Sequence, residues 1–436
     1  MLHSNDTGRQ PKLLILYASY GQGHLQAAKA LQEALQERGN HRTVLVDLMA
    51  ESHPWLNEMT RRMYLSSYTY MPSLYGWVYD VTRPMKHDSL FGGLLHSLGR
   101  DKIRRIVAAE QPDAVIHTFP LFALPALSSS RSRSKLRTAR IPSYAVITDY
   151  DLHCRWVHPA VDRYYVATPD LKRELSGLGI TGGKVRVTGI PLRRGFRSCH
   201  SNHSNHSNHS NHSSPSDLSM EYGLRPDLPT VLIMAGAQGV MPDLPELCRE
   251  LLAMSTLQVA VVCGRNEAVK LALEAQFHSR VPAEPAAVSS VQGTALPAPY
   301  EATASTSYSQ PGARLRIFGF VEPIHELMSL ASCIVTKPGG ITLAEAIEAG
   351  LPIFTYRPVP GQEKQNALYL AGKGAAVIAS TPSALAGEIT KLLTDPIRYK
   401  NTEAALRKLR MTNAADTIVL DILSGLNIME EASSSL

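Results

Sequence analysis

What most constrains this chain is an alternation. Short apolar runs of strand length pass through glycine-bearing turns into stretches of helical period, first in the N-terminal half and again in the C-terminal half. LLILYA (13–18) leads through SYGQG into HLQAAKALQEALQERG, where Leu25, Ala28, Leu31 and Leu35 share one face and Gly39 supplies a stop; TVLVDL (43–48) then resumes a strand. AVIHTF (114–119), YAVIT (144–148), RYYVAT (163–168) and VRVTG (185–189) continue the series. A second series comprises TVLIMAG (230–236), LQVAVVCG (257–264), RLRIFGF (314–320), ASCIVTK (331–337) and LPIFTY (351–356). Strands alternating with helices imply an α/β fold with largely parallel sheets covered on both faces. At 436 residues the chain exceeds one ordinary core, because single domains rarely grow past roughly 250 residues. Two doubly wound domains facing a cleft, with ligands at the carboxyl ends of the strands, are the expected architecture.

Between the two series the tract HSNHSNHSNHSNHS, beginning at His200, repeats a three-residue unit that cannot bury a core. Residues 199–216 therefore read as a polar linker joining an N-terminal domain (1–198) to a C-terminal domain (217–390), with metal binding as the alternative use of the histidines. Residues 279–312, rich in Ala, Ser and Pro, read as a disordered surface insertion. Residues 391–436 read as C-terminal helices, with a return to the N-terminal domain as one option.

The formal net charge of +6 is unevenly divided. Residues 1–198 hold 27 Lys and Arg against 16 Asp and Glu, a balance of +11, leaving 17 against 22, or −5, for the rest. The basic half suits an anionic partner, either nucleic acid or a negatively charged membrane. Five scattered cysteines without a CxxC pair suggest neither a disulfide framework nor a zinc module, which fits a reducing cytosol. The N-terminus lacks an apolar core of signal-peptide length, and the uncharged stretch Met63 to Tyr79 is too short and too polar to span a bilayer that needs about 20 apolar residues.

Three turns carry the chemistry: SYGQGH (19–24, with Gly21 and Gly23), GAQG (236–239) and KPGGITLAEA (337–346). Each follows a strand and precedes a helix, so each reads either as a phosphate cradle of backbone N–H groups or as tight βα packing. None is a P-loop or a GxGxxG fingerprint. Glu345 follows Gly340 by five residues, where a ribose diol attached to a bound phosphate can reach it, so the third turn reads as a nucleotide site. RPVPGQEKQNA (357–367) adds Gln362, Glu363, Gln365 and Asn366 on a loop leading into a helix, a grouping suited to a sugar.

Together SYGQGH, TDYDLHCRWVHPAVDRYYVATPDLKREL (148–175), GFVEPIHELM (319–328) and KPGGITLAEAIEAGLPIFTYRPVPGQEKQNA (337–367) make the chain resemble glycosyltransferase family 28. Within that family the likeness is to the bacterial processive diacylglycerol glucosyltransferases and the monogalactosyldiacylglycerol synthases. The resemblance implies a GT-B fold, a UDP-sugar donor held by the C-terminal domain, an acceptor held by the N-terminal domain, and an inverting reaction that uses no cofactor and no metal. It places Gly236, Gln238, Gly239, Gly339 and Gly340 at the diphosphate, Phe320 and Val321 at the uracil, Glu345 at the ribose, and Gln362, Glu363 and Asn366 at the donor sugar. Relatives commonly carry two adjacent glycines where this chain has Gly236-Ala237.

His24 matches the histidine of the family's N-terminal motif. Inverting transfer needs a base at the acceptor hydroxyl, a role for which histidine is suited at neutral pH, although a histidine at a helix start also serves structure. Asp149 and Asp151 follow a strand and read as assistants to that base or as helix caps. PWLNEMTRRMYLSSYTYMPSLYGWVYDVTRPMK interleaves aromatics with Arg61, Arg62, Arg83 and Lys86, the pattern of an interfacial segment that admits a lipid or of a helical pair packed on the sheet. RSRSKLR (131–137) reads as a solvated loop. The expectation is a peripheral enzyme at the cytoplasmic face of the membrane, moving glucose or galactose from a UDP-sugar to diacylglycerol among anionic lipids. The alternatives are transfer of N-acetylglucosamine to a polyprenyl-linked peptidoglycan precursor, and a nucleotide-sugar-binding protein without catalysis. No nucleic-acid recognition motif accompanies the basic half.

Overall fold

The computed structural model describes residues 10–18, 22–52, 72–83, 100–120, 141–198, 215–236, 238–278 and 314–434. The histidine tract, the 279–312 insertion, the RSRSKLR stretch and much of the aromatic segment lie outside them. Among the described residues twelve strands are present. They are β1 (Leu13–Tyr17), β2 (Thr43–Asp47), β3 (Ala114–His117), β4 (Ser143–Val146), β5 (Arg163–Val166), β6 (Val185–Val187), β7 (Thr230–Met234), β8 (Gln258–Val262), β9 (Leu315–Phe318), β10 (Cys333–Thr336), β11 (Ile353–Tyr356) and β12 (Ala376–Ala379). Two six-stranded sheets result, in the orders β2-β1-β3-β4-β5-β6 and β12-β11-β10-β7-β8-β9. β1 pairs parallel with β2 and β3, and the ladder continues in parallel through β4, β5 and β6. β7 and β9 flank β8 in parallel, and β11 runs parallel to β12.

By compactness the chain forms two units, one of residues 1–208 with 336–436 and the other of residues 209–335. In the first, Leu13 and Ile15 of β1 are wholly buried beneath the helix Gln22–Glu37, which contributes Ala28, Leu31, Ala34 and Leu35 to the same core. That helix ends as expected: Gly39 takes φ 78°, and Asn40 N–H reaches back to the Leu35 carbonyl at 2.9 Å. Leu14 and Leu16 point to the opposite face, where they meet Val46, Ile103 and Val115. Both faces of β1 are thus dry, as a central parallel strand requires.

The first core is completed from far along the chain. The helix Ala414–Ser434 buries Ala415, Ile418, Val419, Ile422 and Leu426 in it. Two carboxylates on that helix anchor it. Asp416 accepts from Arg38 at 2.6 Å and Arg197 at 3.0 Å. Asp421 accepts from Arg163 at 2.5 Å and the Tyr165 hydroxyl at 2.9 Å, with Arg186 at 3.2 Å. β12 is a strand that the apolar-run pattern does not single out. It is the edge of its sheet, and Ile378 is 37% exposed there.

Asp421→Ala removes the acceptor shared by Arg163 and Tyr165. The loss should be about 1–3 kcal/mol and should lower the thermal midpoint followed by circular dichroism, with Asp421→Asn intermediate. An unchanged midpoint in both variants would assign the helix's hold to its apolar face alone.

Candidate active site

The first sheet reverses its strand order between β1 and β3, so the carboxyl ends of those strands form a crevice of the kind that binds ligands in open α/β sheets. His24, on the first turn of the helix after β1, stands there. Its Nδ1 lies 2.6 Å from the carbonyl oxygen of Thr118, just past β3, and 3.2 Å from the Thr148 hydroxyl, just past β4. A carbonyl only accepts, so the Nδ1 position carries the proton and Nε2 is the basic nitrogen of the neutral ring. Phe119 meets the imidazole edge-on at 5.1 Å between ring centres, with buried Trp156 at 6.5 Å. This enclosure lowers the His24 pKa to about 4, the desolvation outweighing the Thr118 carbonyl, and keeps the ring neutral at physiological pH.

Asp149 and Asp151, two residues apart, do different things. Asp151 ties the loop after β4 to the helix Pro72–Thr82, accepting from the Tyr79 hydroxyl at 2.9 Å and from Arg83 at 2.6 Å. Asp149 accepts from the side-chain amides of Gln362, in a very short contact, and Asn366, at 3.2 Å. Burial is the largest influence on Asp149 and raises its pKa to about 6 against the two amide donors. Asn366 is wholly buried: Nδ2 also donates to the Pro338 carbonyl at 3.1 Å, and Oδ1 accepts from the Tyr150 N–H at 2.9 Å. Beside it Tyr150 stacks on Tyr369 at 5.8 Å, and the Tyr369 hydroxyl donates to Asp170 at 2.8 Å.

The glycines of the first and third turns serve different ends. Gly21 lies outside the described residues. A Cβ on Gly23 would sit 3.3 Å from Ile341, so this glycine lets two helices approach. A Cβ on Gly340 would fall 1.9 Å from the Thr148 carbonyl oxygen, so here the glycine seats the third turn against the loop after β4. Gly339 has open space around it and heads the helix Gly340–Ala349, which no side chain caps. Glu345 on that helix is buried, and its pKa is raised to about 7 by desolvation despite the opposing charge of Arg193. Gly361, at φ 99°, ends the Pro/Gly loop, so Gln362, Glu363 and Asn366 stand on the first turns of the helix Gln362–Gly372 rather than on the loop itself.

The remaining predicted residues belong to the second unit. Gly236 (φ 76°) and Gly239 (φ 61°) form a tight turn closed by the Gly239 N–H to the Gly236 carbonyl at 2.9 Å. A Cβ on Gly239 would fall 2.2 Å from the Cys263 carbonyl oxygen, and Asn266 donates to the Gln238 carbonyl at 3.2 Å. Phe320 is half exposed with the Arg265 guanidinium 5.0 Å above its ring, next to Val321. Thr118, Thr148, Arg193 and Arg265 escape sequence reasoning, although the two threonines carry one usable signal: both stand just past the carboxyl ends of strands. Of the aromatic segment, the helix Pro72–Thr82 holds Tyr79 and Thr82 inward and leaves Trp77, Val78 and Val81 exposed at 62%, 42% and 40%. Among the described residues no helix is long and apolar enough to cross a membrane.

The monogalactosyldiacylglycerol (MGDG) synthase family matches residues 24–192, and the glycosyl transferases group 1 family matches residues 300–409. A processive diacylglycerol beta-glucosyltransferase of Bacillus cereus (strain AH820) is 35% identical over 416 residues, covering 95% of this chain and 94% of its own length. Among solved structures, the S. aureus MnaA–UDP co-structure superposes with a TM-score of 0.57 at 14% identity, covering 96% of this chain and 97% of its own. Acinetobacter baumannii MurG does so with a TM-score of 0.54 at 18% identity, covering 95% and 100%. The fold is the expected α/β arrangement of two Rossmann-like sheets, of GT-B type.

Gly340→Ala places a methyl group against the Thr148 carbonyl, which is backbone and has little freedom to give. Thermal denaturation should show a midpoint at least several degrees lower, and amide exchange should speed up at residues 147–150 ahead of the rest of the first sheet. Wild-type exchange there would show that the turn and the loop are not held together by this contact.

Proposed function

Because the chain belongs to the glycosyltransferase family that includes the processive diacylglycerol beta-glucosyltransferases, we propose that it transfers glucose from UDP-glucose to the free hydroxyl of diacylglycerol at the membrane surface. The observation that carries the reading is the 35% identity across 95% of the chain to relatives whose name states glucosyl transfer to diacylglycerol. The site geometry supports it. In the proposed reaction the acceptor oxygen attacks the anomeric carbon from the face opposite UDP. The new C–O bond forms as the bond to the β-phosphate oxygen breaks, UDP leaves with that electron pair, and the hydroxyl proton passes to His24 Nε2. The Thr118 carbonyl presets the tautomer that can take it.

On the donor side, Glu345 offers a buried carboxylate to the ribose diol, and Gly339 opens an uncapped helix N-terminus that favours phosphate. Gly236, Gln238 and Gly239 line the diphosphate, Phe320 and Val321 hold the uracil, and Gln362 with Glu363 meets the hexose. For the acceptor, Trp77, Val78 and Val81 present an apolar face beside the Arg83 that holds Asp151. The +11 balance of residues 1–198 draws that face to anionic lipid at the cytoplasmic leaflet.

Incubation of the purified protein with labelled UDP-glucose and diacylglycerol vesicles should yield labelled glycolipid; no labelled lipid with either UDP-glucose or UDP-galactose would sink the reading, and the better donor of the two names the sugar. His24→Ala should lower kcat by about 100-fold or more with the protein still folded. Since the neutral ring is the active form and its pKa is lowered to about 4, kcat at saturating donor should hold from pH 8 down past the usual histidine value of 6.5 and fall only as pH nears 4. A kcat falling with a midpoint near 6.5 would contradict the enclosed, neutral histidine.

A further inference from the structure

We infer that Asp149 is a positioning residue for the donor sugar: it turns the side-chain amide of Gln362 so that its carbonyl oxygen, and not its NH2 group, faces the hexose. The inference rests on the reading above that the start of the helix Gln362–Gly372 meets the sugar of the donor.

An ionised carboxylate can only accept hydrogen bonds. Oδ1 of Asp149 takes the Nε2 group of Gln362 and the Nδ2 group of Asn366 together. With one Nε2 hydrogen held there, the Gln362 amide cannot turn over, and its Oε1 stays on the side away from Asp149. Asn366 has both ends of its amide in use, Nδ2 on Asp149 and the Pro338 carbonyl and Oδ1 on the Tyr150 N–H, and it is wholly buried. It therefore holds Asp149 in place rather than touching a ligand. Of the two amides that Asp149 holds, Gln362 is the one left to read a sugar, and its Oε1 reads it as an acceptor. A hexose hydroxyl meeting that oxygen must donate.

The orientation has a physical cause that the amide alone lacks. A glutamine at a helix start presents oxygen or nitrogen with nearly equal ease, and a neutral partner such as a hydroxyl accommodates both. A carboxylate removes that freedom because one of the two orientations would set oxygen against oxygen. Seating Asp149 requires Gly340, whose missing side chain lets the Pro338 turn close on the Thr148–Asp149 backbone, with Asp149 Oδ1 2.8 Å from where a Cβ would lie.

Isothermal titration of UDP and of UDP-glucose separates this role from a catalytic or merely structural one. Asp149→Ala should bind UDP within about twofold of wild type and UDP-glucose about tenfold more weakly, since a misoriented sugar contact is worth on the order of one hydrogen bond. Asp149→Asn should recover most of that loss, because the introduced amide oxygen still accepts from Gln362. The donor KM should rise by more than kcat falls. Gln362→Ala should reproduce the selective loss of UDP-glucose, and the double variant should be no worse than Gln362→Ala, because one residue acts through the other. Additive losses, or a kcat abolished equally by Asp149→Ala and Asp149→Asn with UDP-glucose affinity intact, would overturn the inference. The Gln362→Ala measurement also keeps it open to refutation should Asp149→Ala not fold, since unaltered UDP-glucose affinity in that variant overturns it as well. Wild-type protein that binds UDP-glucose no more tightly than UDP would instead overturn the donor-sugar reading on which it stands.

Discussion

One buried amide holds the centre of the first unit. Asn366 joins three stretches of backbone that are far apart in sequence: the loop after β4 through Asp149 and the Tyr150 N–H, the turn before the helix Gly340–Ala349 through the Pro338 carbonyl, and its own helix. Each of these groups is sealed from water, so each needs its partner; an unmatched one would cost about 1–3 kcal/mol. The same closure brings Gly340 against the Thr148 carbonyl, and the Thr148 hydroxyl in turn stands beside His24. The position of the proposed base is thus linked, through three residues in contact, to the helix proposed to read the donor sugar.

Burial moves the site's titratable groups toward neutrality. It lowers His24 to about 4 and raises Asp149 to about 6 and Glu345 to about 7. For the histidine this keeps the proton-accepting form in place. For Glu345 it leaves a group whose charge is stabilised by Arg193 but not fully compensated, a setting in which ligand hydroxyl donors would be welcome. By contrast, the carboxylates that fasten the C-terminal helix, Asp416 and Asp421, each meet two arginines at the edge of the core. Structural and site carboxylates differ here in both respects: Asp149 and Glu345 are buried, whereas Asp416 and Asp421 are partly open to solvent and paired with arginines.

Most strands were legible in the sequence because a strand with two dry faces reads as a continuous apolar run, as in LLILY and VLIM. β12 was not, since an edge strand with exposed Ile378 lacks that signature. The glycine turns were legible as turns but not in purpose. Gly23, Gly239 and Gly340 each answer to a specific neighbour, Ile341, the Cys263 carbonyl or the Thr148 carbonyl, and none of these contacts is local in sequence. Asp149 illustrates the same limit: after a strand, an aspartate reads as a cap or a helper in catalysis, and only its two amide partners, more than 200 residues away, reveal what holds it.

Legible along the chain are the two series of alternating strand and helix, the basic charge gathered in the first, and the chemistry of His24, Glu345 and the GQE stretch. These follow from periodicity, composition and residue chemistry, which are written along the chain. Tertiary structure decided which ring nitrogen of His24 carries the proton, which end of the Gln362 amide faces outward, and that the last helix completes the first core. Each of those depends on a carbonyl, carboxylate or apolar face supplied from a distant part of the chain, because a hydrogen bond's direction is set by its partner and a partner is set by the fold.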